Sequence, residues 1–432
     1  MNRKFERVLL INCALDKFSR QKIKNAVSTP NLGLMSIASV LIMHGYKVKI
    51  IDFFVENMTA SDYVDLLHTW EPSLIGFSVY TRTVPFFNRI LKLTKQSGFA
   101  GVTVAGGPHP TFNQEELLKD TKVDYVMKGE GEFSFLKLLE HLKYPEQFPL
   151  KYVDGVSYVH ESTVVINEKF KFIEKLDTLP LQPIGLVDAD KYSTAFTMIT
   201  SRGCPGNCIY CSSRSMSGSK YRMRSAENII CEMVYLKDRL KSDKVVFLDD
   251  TFTADPIRFD RYIKLIRQSD HNFTYRIESR GDTLSEKILD ALRDTNCSVI
   301  HVGIESGSQE VINKIGKKIN LSETIQRLLY GNKIGIHMVA SFIIGHYCDN
   351  KKTIKETIEL MKQLKKAGVE VSVASCTPFP GTALYNNRDK LKVKILAASW
   401  QEYDFSNVII ETEFLKKEDL RELLFEAIMV CM

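Results

Sequence analysis

Apolar residues recur along this chain with two alternating signatures: short continuous runs and stripes spaced three or four apart. Residues 8–11 form an apolar run of strand length. Leu34, Ile37, Ala38, Leu41 and Ile42 form a helical stripe that stops at Gly45, and residues 47–52 read as the next strand. The same alternation returns at residues 74–79, 102–105 and 125–127, each followed by a loop and a helical pattern. Five strand–helix units predict a parallel, doubly wound sheet over residues 1–145, whose ligands sit beyond the carboxyl ends of the strands.

Periodicity is then lost over residues 146–194. This stretch carries a hairpin-like segment at 152–159 and the paired prolines of Leu179-Pro-Leu-Gln-Pro183, which together read as a packed linker rather than a domain. Strand–helix alternation resumes at residue 195, with strands near Thr197, Val245, Thr274, Val299, Val339 and Val371. The stripe Ile354, Ile358, Met361 and Leu364 marks the last helix between them. Six parallel units predict a partial (βα)6 barrel over 195–390, with its chemistry at the carboxyl ends of the strands. Residues 391–432 read as a short tail with an amphipathic helix through Leu420, Leu423, Leu424 and Ala427.

Composition narrows the class without naming it. With 432 residues, 44% of them hydrophobic and 25% charged, the chain can bury more than one core. The net charge of +6 comes from 58 basic and 52 acidic residues. The lysines are spread rather than blocked, so they read as solvated surface and no nucleic-acid partner is expected. No apolar stretch approaches a membrane span, and the charged start leads into only a short apolar run, so neither a membrane nor a signal peptide is expected. Nine cysteines, an odd number, are scattered apart from one triplet; this predicts a reducing, cytoplasmic setting.

That triplet carries the chemistry. Cys204, Cys208 and Cys211 stand in Ser201-Arg-Gly-Cys-Pro-Gly-Asn-Cys-Ile-Tyr-Cys-Ser, spaced CxxxCxxC with Tyr210 just before the last thiol, after the strand-like run 196–200. Three thiolates bound to a cluster of four irons leave one iron open to a small molecule. A zinc site would need a fourth nearby Cys or His, and His160 is the only histidine between Tyr158 and Asp270. Polar groups stand at the predicted strand ends: Asp249 and Asp250, then Glu278 and Arg280, then Glu305 and Ser306, then His346, and Thr382 after the sixth. Capping of the following helix is the competing use of Asp249, Asp250, Glu278 and Glu305. Cys348 and Cys376 also fall at strand ends, as candidates to relay a hydrogen atom or carry an intermediate, or as plain buried thiols. In the first domain the corresponding loops are glycine-rich: Gly106-Gly-Pro-His-Pro-Thr111 and Gly129-Glu-Gly-Glu132.

CxxxCxxC with the aromatic before the third cysteine resembles the signature of the radical S-adenosylmethionine (SAM) superfamily. The Ser201–Cys208 stretch and the two glycine loops resemble, more narrowly, its members with an N-terminal cobalamin-binding domain. The resemblance implies a Rossmann-like cobalamin domain followed by a partial TIM-type barrel and a short helical tail. It implies a 4Fe–4S cluster on Cys204, Cys208 and Cys211, with SAM chelating the open iron and cleaved by one electron to a 5′-deoxyadenosyl radical. SAM contacts then fall to Tyr210, Asp249, Asp250, Glu278, Arg280, Glu305 and Ser306. Cobalamin contacts fall to Gly106, Gly107, His109, Gly129, Glu130 and Gly131. A flavodoxin- or ferredoxin-type protein is implied as electron donor.

Two departures from the family stand out. Asp16-Lys-Phe-Ser has Phe18 where a DxHxxG motif would place a cobalt-ligating histidine, so a base-off, histidine-off cobalamin is expected. The fifth strand ends in Gly345-His-Tyr-Cys-Asp-Asn350 instead of Gly-x-Pro-Gly-Glu. The expected reaction is methylation of an unactivated carbon or phosphorus in a natural-product or peptide substrate. The alternatives are a non-methylating cyclisation, dehydration or rearrangement without cobalamin, and a cluster or corrinoid protein that senses without turnover.

Overall fold

The computed structural model describes residues 5–15 and 28–432; the motif position at Phe18 lies outside the described residues. The chain divides into two compact units, Met1–Ala195 and Phe196–Met432.

The first unit is built on a seven-stranded sheet. Its strands are β1 (Arg7–Asn12), β2 (Lys47–Asp52), β3 (Leu74–Ser78), β4 (Val102–Gly106), β5 (Tyr125–Met127), β6 (Val156–His160) and β7 (Thr163–Val165), in the order β2-β1-β3-β4-β5-β6-β7. The first five pair in parallel, in the flavodoxin-like order 2-1-3-4-5, which places a topological switch point between β1 and β3. β1 and β3 are almost wholly buried, as unbroken apolar runs covered by helices on both faces should be. One face packs Leu10, Leu74 and Val104 against Leu34, Ala38, Leu41, Phe135 and Leu139. The Leu34 stripe lies on the helix Leu32–Met43, which ends before Gly45 at a φ of 83°. The hairpin expected at 152–159 does not form there, because residues 150–152 make a short 3-10 turn; the hairpin of this stretch is β6 with β7, turning at Glu161 and Ser162. It extends the sheet antiparallel to β5, so this segment completes the first unit's sheet edge.

In the second unit, β8 (Thr197–Met198), β11 (Lys244–Phe247), β12 (Thr274–Arg280), β13 (Cys297–Glu305), β14 (His337–Ile344) and β15 (Glu370–Ser375) form a six-stranded sheet in that order, every pair parallel. A two-stranded ladder, β9 (Ser201–Arg202) with β10 (Arg222–Met223), closes the cysteine loop. One face of the sheet packs against helices through a knot of aromatic rings. Phe247, Tyr262 and Tyr275 meet edge to face with centroids 5.8–6.0 Å apart. Alternate residues of β12, namely Arg276, Glu278 and Arg280, therefore face the other way. By register they share a row with Val299, His301 and Gly303 of β13. A barrel interior is ordinarily filled by branched apolar side chains; here charged and polar groups line one wall. The tail helix Lys417–Cys431 buries Leu420, Leu423, Leu424 and Ala427. Among the described residues no helix is long and apolar enough to cross a membrane.

Candidate active site

The cysteine loop is held by backbone rather than by its thiols. Cys204 N donates to Gly218 O at 3.2 Å and Ile209 N to Ile315 O at 2.9 Å, while Leu384 N donates to Ile209 O at 2.7 Å. Gly203 enters the loop at a φ of 89°, and a Cβ there would lie 2.2 Å from Lys220 O, so only glycine fits. At Gly206 a Cβ would stand 3.3 Å from Cys204 Sγ and 3.9 Å from Cys208 Sγ, so both thiols border the same small space. Cys211 Sγ donates to Ser213 Oγ at 3.3 Å, and Ser213 Oγ in turn donates to Asp250 Oδ1 at 2.8 Å. All three cysteines are free and partly exposed. Burial pushes the thiols of Cys204 and Cys211 above their ordinary pKa. A metal centre is what would favour their thiolates. Among the described residues no three His, Cys, Asp or Glu side chains converge as for a single ion. Partly exposed thiols gathered by one backbone-fixed loop suit a polynuclear cluster.

The carboxylates at the strand ends divide by environment. Asp249 is 1% exposed and accepts hydrogen bonds from Thr200 N at 3.0 Å, Thr200 Oγ1 at 3.0 Å and Ser201 Oγ. It latches the end of β8 to β11. Burial raises its pKa against the pull of the Arg258 charge and these donors. Asp250 is exposed at the surface, with Ser213 as a partner, and desolvation still raises its carboxyl pKa. Glu278 lies 3.9 Å from Arg276, with its pKa raised by burial. Glu305 forms a buried ion pair with Lys317, Nζ to Oε1 2.5 Å. Capping falls to other residues: Asp255, Ser285, Asn320 and Asn350 cap the helices that follow these strands. Ser306 is buried and accepts from Ser308 N at 3.1 Å, so its hydroxyl shapes the turn.

At the end of β14 the departing sequence makes a closed cluster. His346 is 1% exposed. Its ring lies 5.3 Å from that of Tyr210, and its Nδ1 is 3.9 Å from Cys376 Sγ. Asp349 fixes the turn by accepting from His346 N at 2.9 Å and Gly345 N at 3.2 Å. Burial raises the Cys376 thiol and brings Cys348 up to about 12. Cys348 packs with Val311 and Ile315, alongside Tyr210. Burial disfavours the thiolate at both positions, and Cys348 lies among apolar side chains. Lys317, Asp282 and Ser213 are neighbours of the site that no motif or period announces; a lysine buried in a loop leaves no trace in the spacing of apolar residues.

In the first unit, the carboxyl ends of β1, β2 and β3 carry a hydrogen-bonded network. Asn12 Nδ2 donates to Asp52 Oδ1 at 3.0 Å, and Asn31 Nδ2 donates to Asn12 Oδ1 at 2.9 Å and Ser78 Oγ at 3.0 Å. Gly107, at a φ of 101°, lies so close to Val79 that a Cβ would be 3.1 Å from its N and O. A Cβ at Gly129 would meet Phe170 at 2.7 Å, and one at Gly131 would meet Ile37 at 2.9 Å, while the space at Gly106 is open to 3.9 Å. Glu130 Oε2 accepts from Ile173 N at 2.7 Å. Amides, a hydroxyl, a carboxyl and close backbone at the switch point could pair with an amide-bearing macrocycle such as cobalamin.

His109 is fully buried, its Nδ1 3.4 Å from Thr81 Oγ1 and 3.3 Å from Asn113 Nδ2. Burial brings its pKa down to about 4. Above about pH 6.5 the ring is neutral in both folded and unfolded chains. Between there and pH 4 the unfolded chain binds a proton that the folded one refuses, so this unit loses on the order of 3 kcal/mol of stability as pH falls. We expect His109→Gln, in a Trp400→Phe background, to flatten that slope in urea titrations at pH 7 and pH 5, read by Trp70 fluorescence; parallel slopes would refute it.

Comparison with known proteins gives the family and the fold. The chain matches the Radical SAM superfamily over residues 198–361 and the B12 binding domain over residues 23–139. It is 30% identical over 412 residues to an uncharacterized methyltransferase of Pyrococcus horikoshii, covering 94% of this chain and 88% of that one. It is 26% identical over 440 residues to cytidylyl-2-hydroxyethylphosphonate methyltransferase of Streptomyces wedmorensis, covering 88% and 81%. Among solved structures, OxsB, a cobalamin-dependent S-adenosylmethionine radical enzyme with aqua-cobalamin bound, superposes with a TM-score of 0.80 at 19% identity, covering 96% of this chain and 65% of that one. The chain belongs to the radical SAM superfamily, as an enzyme with an N-terminal B12 binding domain whose cofactors are a 4Fe–4S cluster, SAM and cobalamin.

Proposed function

We propose that this chain methylates an unactivated carbon or phosphorus atom of a natural-product or peptide substrate, using SAM both as methyl source and as radical source. The observation that carries the reading is the presence, on one chain, of a three-thiol loop at the mouth of a polar-walled barrel and a B12 binding domain. Relatives named as methyltransferases support it. When bound, the cluster supplies the electron that cleaves SAM, and cobalamin supplies the methyl-carrying metal.

The chain's own residues bind and orient. Cys204, Cys208 and Cys211 hold the cluster. Asp250 would take the SAM ammonium, a better candidate than the buried Asp249, whose oxygens are spent on Thr200 and Ser201. Tyr210 and His346 wall one side of the site, and the Glu305–Lys317 pair fixes β13 beside it. Gly106 and Gly107 would let backbone approach cobalamin, and Glu130 braces the neighbouring loop through Ile173 N. A flavodoxin- or ferredoxin-type protein supplies the electron.

The test is anaerobic purification, cluster reconstitution and addition of hydroxocobalamin, followed by SAM and a low-potential reductant with candidate acceptors. We expect retained corrin absorption and formation of both S-adenosylhomocysteine and 5′-deoxyadenosine. Deoxyadenosine alone, with no corrin retained, would replace methylation by a radical rearrangement. Neither product would reduce the chain to a sensor.

A further inference from the structure

β12 ends on Arg280, whose side chain is only 15% exposed. Its guanidinium is fixed on three acceptors. Nε donates to Asp282 Oδ1 at 2.9 Å, and Nη2 donates to Asp282 Oδ2 at 2.8 Å and to the Lys317 carbonyl at 2.9 Å. The remaining nitrogen, Nη1, stands 3.9 Å from Cys208 Sγ. A Cβ at Gly206 would lie 3.2 Å from that same Nη1 and 3.3 Å from Cys204 Sγ. One cation and two thiols therefore border a single small space, and the cation is held there by its other bonds.

The potential of an iron–sulfur cluster follows its net charge and the hydrogen bonds its sulfurs receive. A positive charge and an N–H donor beside thiolate sulfur stabilise the reduced, more negative state more than the oxidised one. Asp282 does not cancel the effect, because its carboxylate is 42% exposed and screened by water while the guanidinium is largely desolvated. Arginine also keeps its proton throughout, so no proton accompanies the electron.

We propose that Arg280, locked by Asp282 and the Lys317 carbonyl, is a positioning charge that raises the reduction potential of the cluster on Cys204, Cys208 and Cys211. This rests on the cluster assignment above. The step it assists is the addition of one electron from a low-potential protein donor to the oxidised cluster, with no bond made or broken in the protein. It gives Arg280 a role toward the cluster, distinct from a direct contact with SAM.

The experiment is a redox titration of the reconstituted full-length protein without SAM, reduced stepwise by photoreduced deazaflavin and followed by electron paramagnetic resonance. Arg280→Gln is expected to move the midpoint to a more negative potential at unchanged iron and sulfide content. Arg280→Lys keeps the charge but loses the fork, and is expected to fall between wild type and the glutamine variant. Should Arg280→Gln take up no iron, the lysine variant decides: a midpoint below wild type supports the proposal and an equal one overturns it. Unchanged midpoints with weakened SAM binding would overturn it and return Arg280 to the SAM carboxylate. A wild-type protein that assembles no cluster would sink the cluster assignment instead.

Discussion

Replacing Cys208 by alanine should abolish both iron uptake and the formation of 5′-deoxyadenosine from SAM, to background, while leaving the second unit folded. The two halves of this expectation have different physical origins. Two thiolates cannot hold a four-iron cluster in the way that three can, so the electron source is lost entirely rather than weakened. The loop itself does not depend on the thiol. Cys211 N donates to Cys208 O at 3.2 Å and Ile209 N to Ile315 O at 2.9 Å, and alanine keeps both. Cys208 is partly exposed, so its truncation leaves no buried cavity and should change stability by no more than about 1 kcal/mol. Cys231→Ala, at an exposed cysteine of a helix, is the control expected to retain iron and cleavage. Iron and sulfide analysis with chromatography of the nucleoside product checks all three proteins, and a Cys208→Ala protein that still cleaves SAM would end the assignment.

The alternation of sheet and helix was legible because each parallel strand buries at least one face as a short apolar run or alternation, and the helices covering it bury one stripe. The runs at 47–52 and 125–127 coincide with β2 and β5, and the six strands expected near Thr197, Val245, Thr274, Val299, Val339 and Val371 are β8 and β11 to β15. The stripe Ile354, Ile358, Met361 and Leu364 is fully turned inward on the helix Lys351–Lys366. Less was legible at 152–165, where an antiparallel hairpin adds itself to a parallel sheet edge. Nothing in local patterning distinguishes a strand that pairs with β5 from one that turns back on a linker.

For the site, spacing alone isolated the thiols, since three ligands close together in sequence are brought together by one loop. The partners of the strand-end carboxylates were not readable. Asp249 and Asp250 are adjacent in sequence, yet one is buried under three donors and the other exposed beside Ser213. That difference arises from which way each residue leaves the end of β11. Lys317 reaches Glu305 only because the loop around Gly316 folds back until a Cβ there would lie 2.5 Å from Asn207 O, a tertiary contact with no periodic trace.

That lysine carries the second large effect. Lys317→Met should destabilise the second unit by about 3–5 kcal/mol, because it strands the Glu305 carboxylate in a site where the pair's side chains are only 7% and 9% exposed. The pair is tightly enclosed: a Cβ at Gly303 would lie 2.7 Å from Lys317 Nζ and closer still to the carboxylate. Glu305 also sits at a φ of 73°, where β13 slips register against β14 between Gly303 and Glu305. A non-glycine residue in that conformation costs about 1–3 kcal/mol and persists only where its surroundings hold it, so the ion pair is the natural restraint. Combining Lys317→Met with Glu305→Gln removes both charges and should recover much of the loss, a coupling well beyond the few tenths expected of independent sites. The chain has two tryptophans, Trp70 in the first unit and Trp400 in the second. Urea titrations in a Trp70→Phe background therefore report the second unit alone, which keeps its transition from being blurred by the first. Single and double variants whose losses simply add, or a Lys317→Met loss below about 1 kcal/mol, would mean that water reaches the pair and that the bend of β13 is held by its backbone instead.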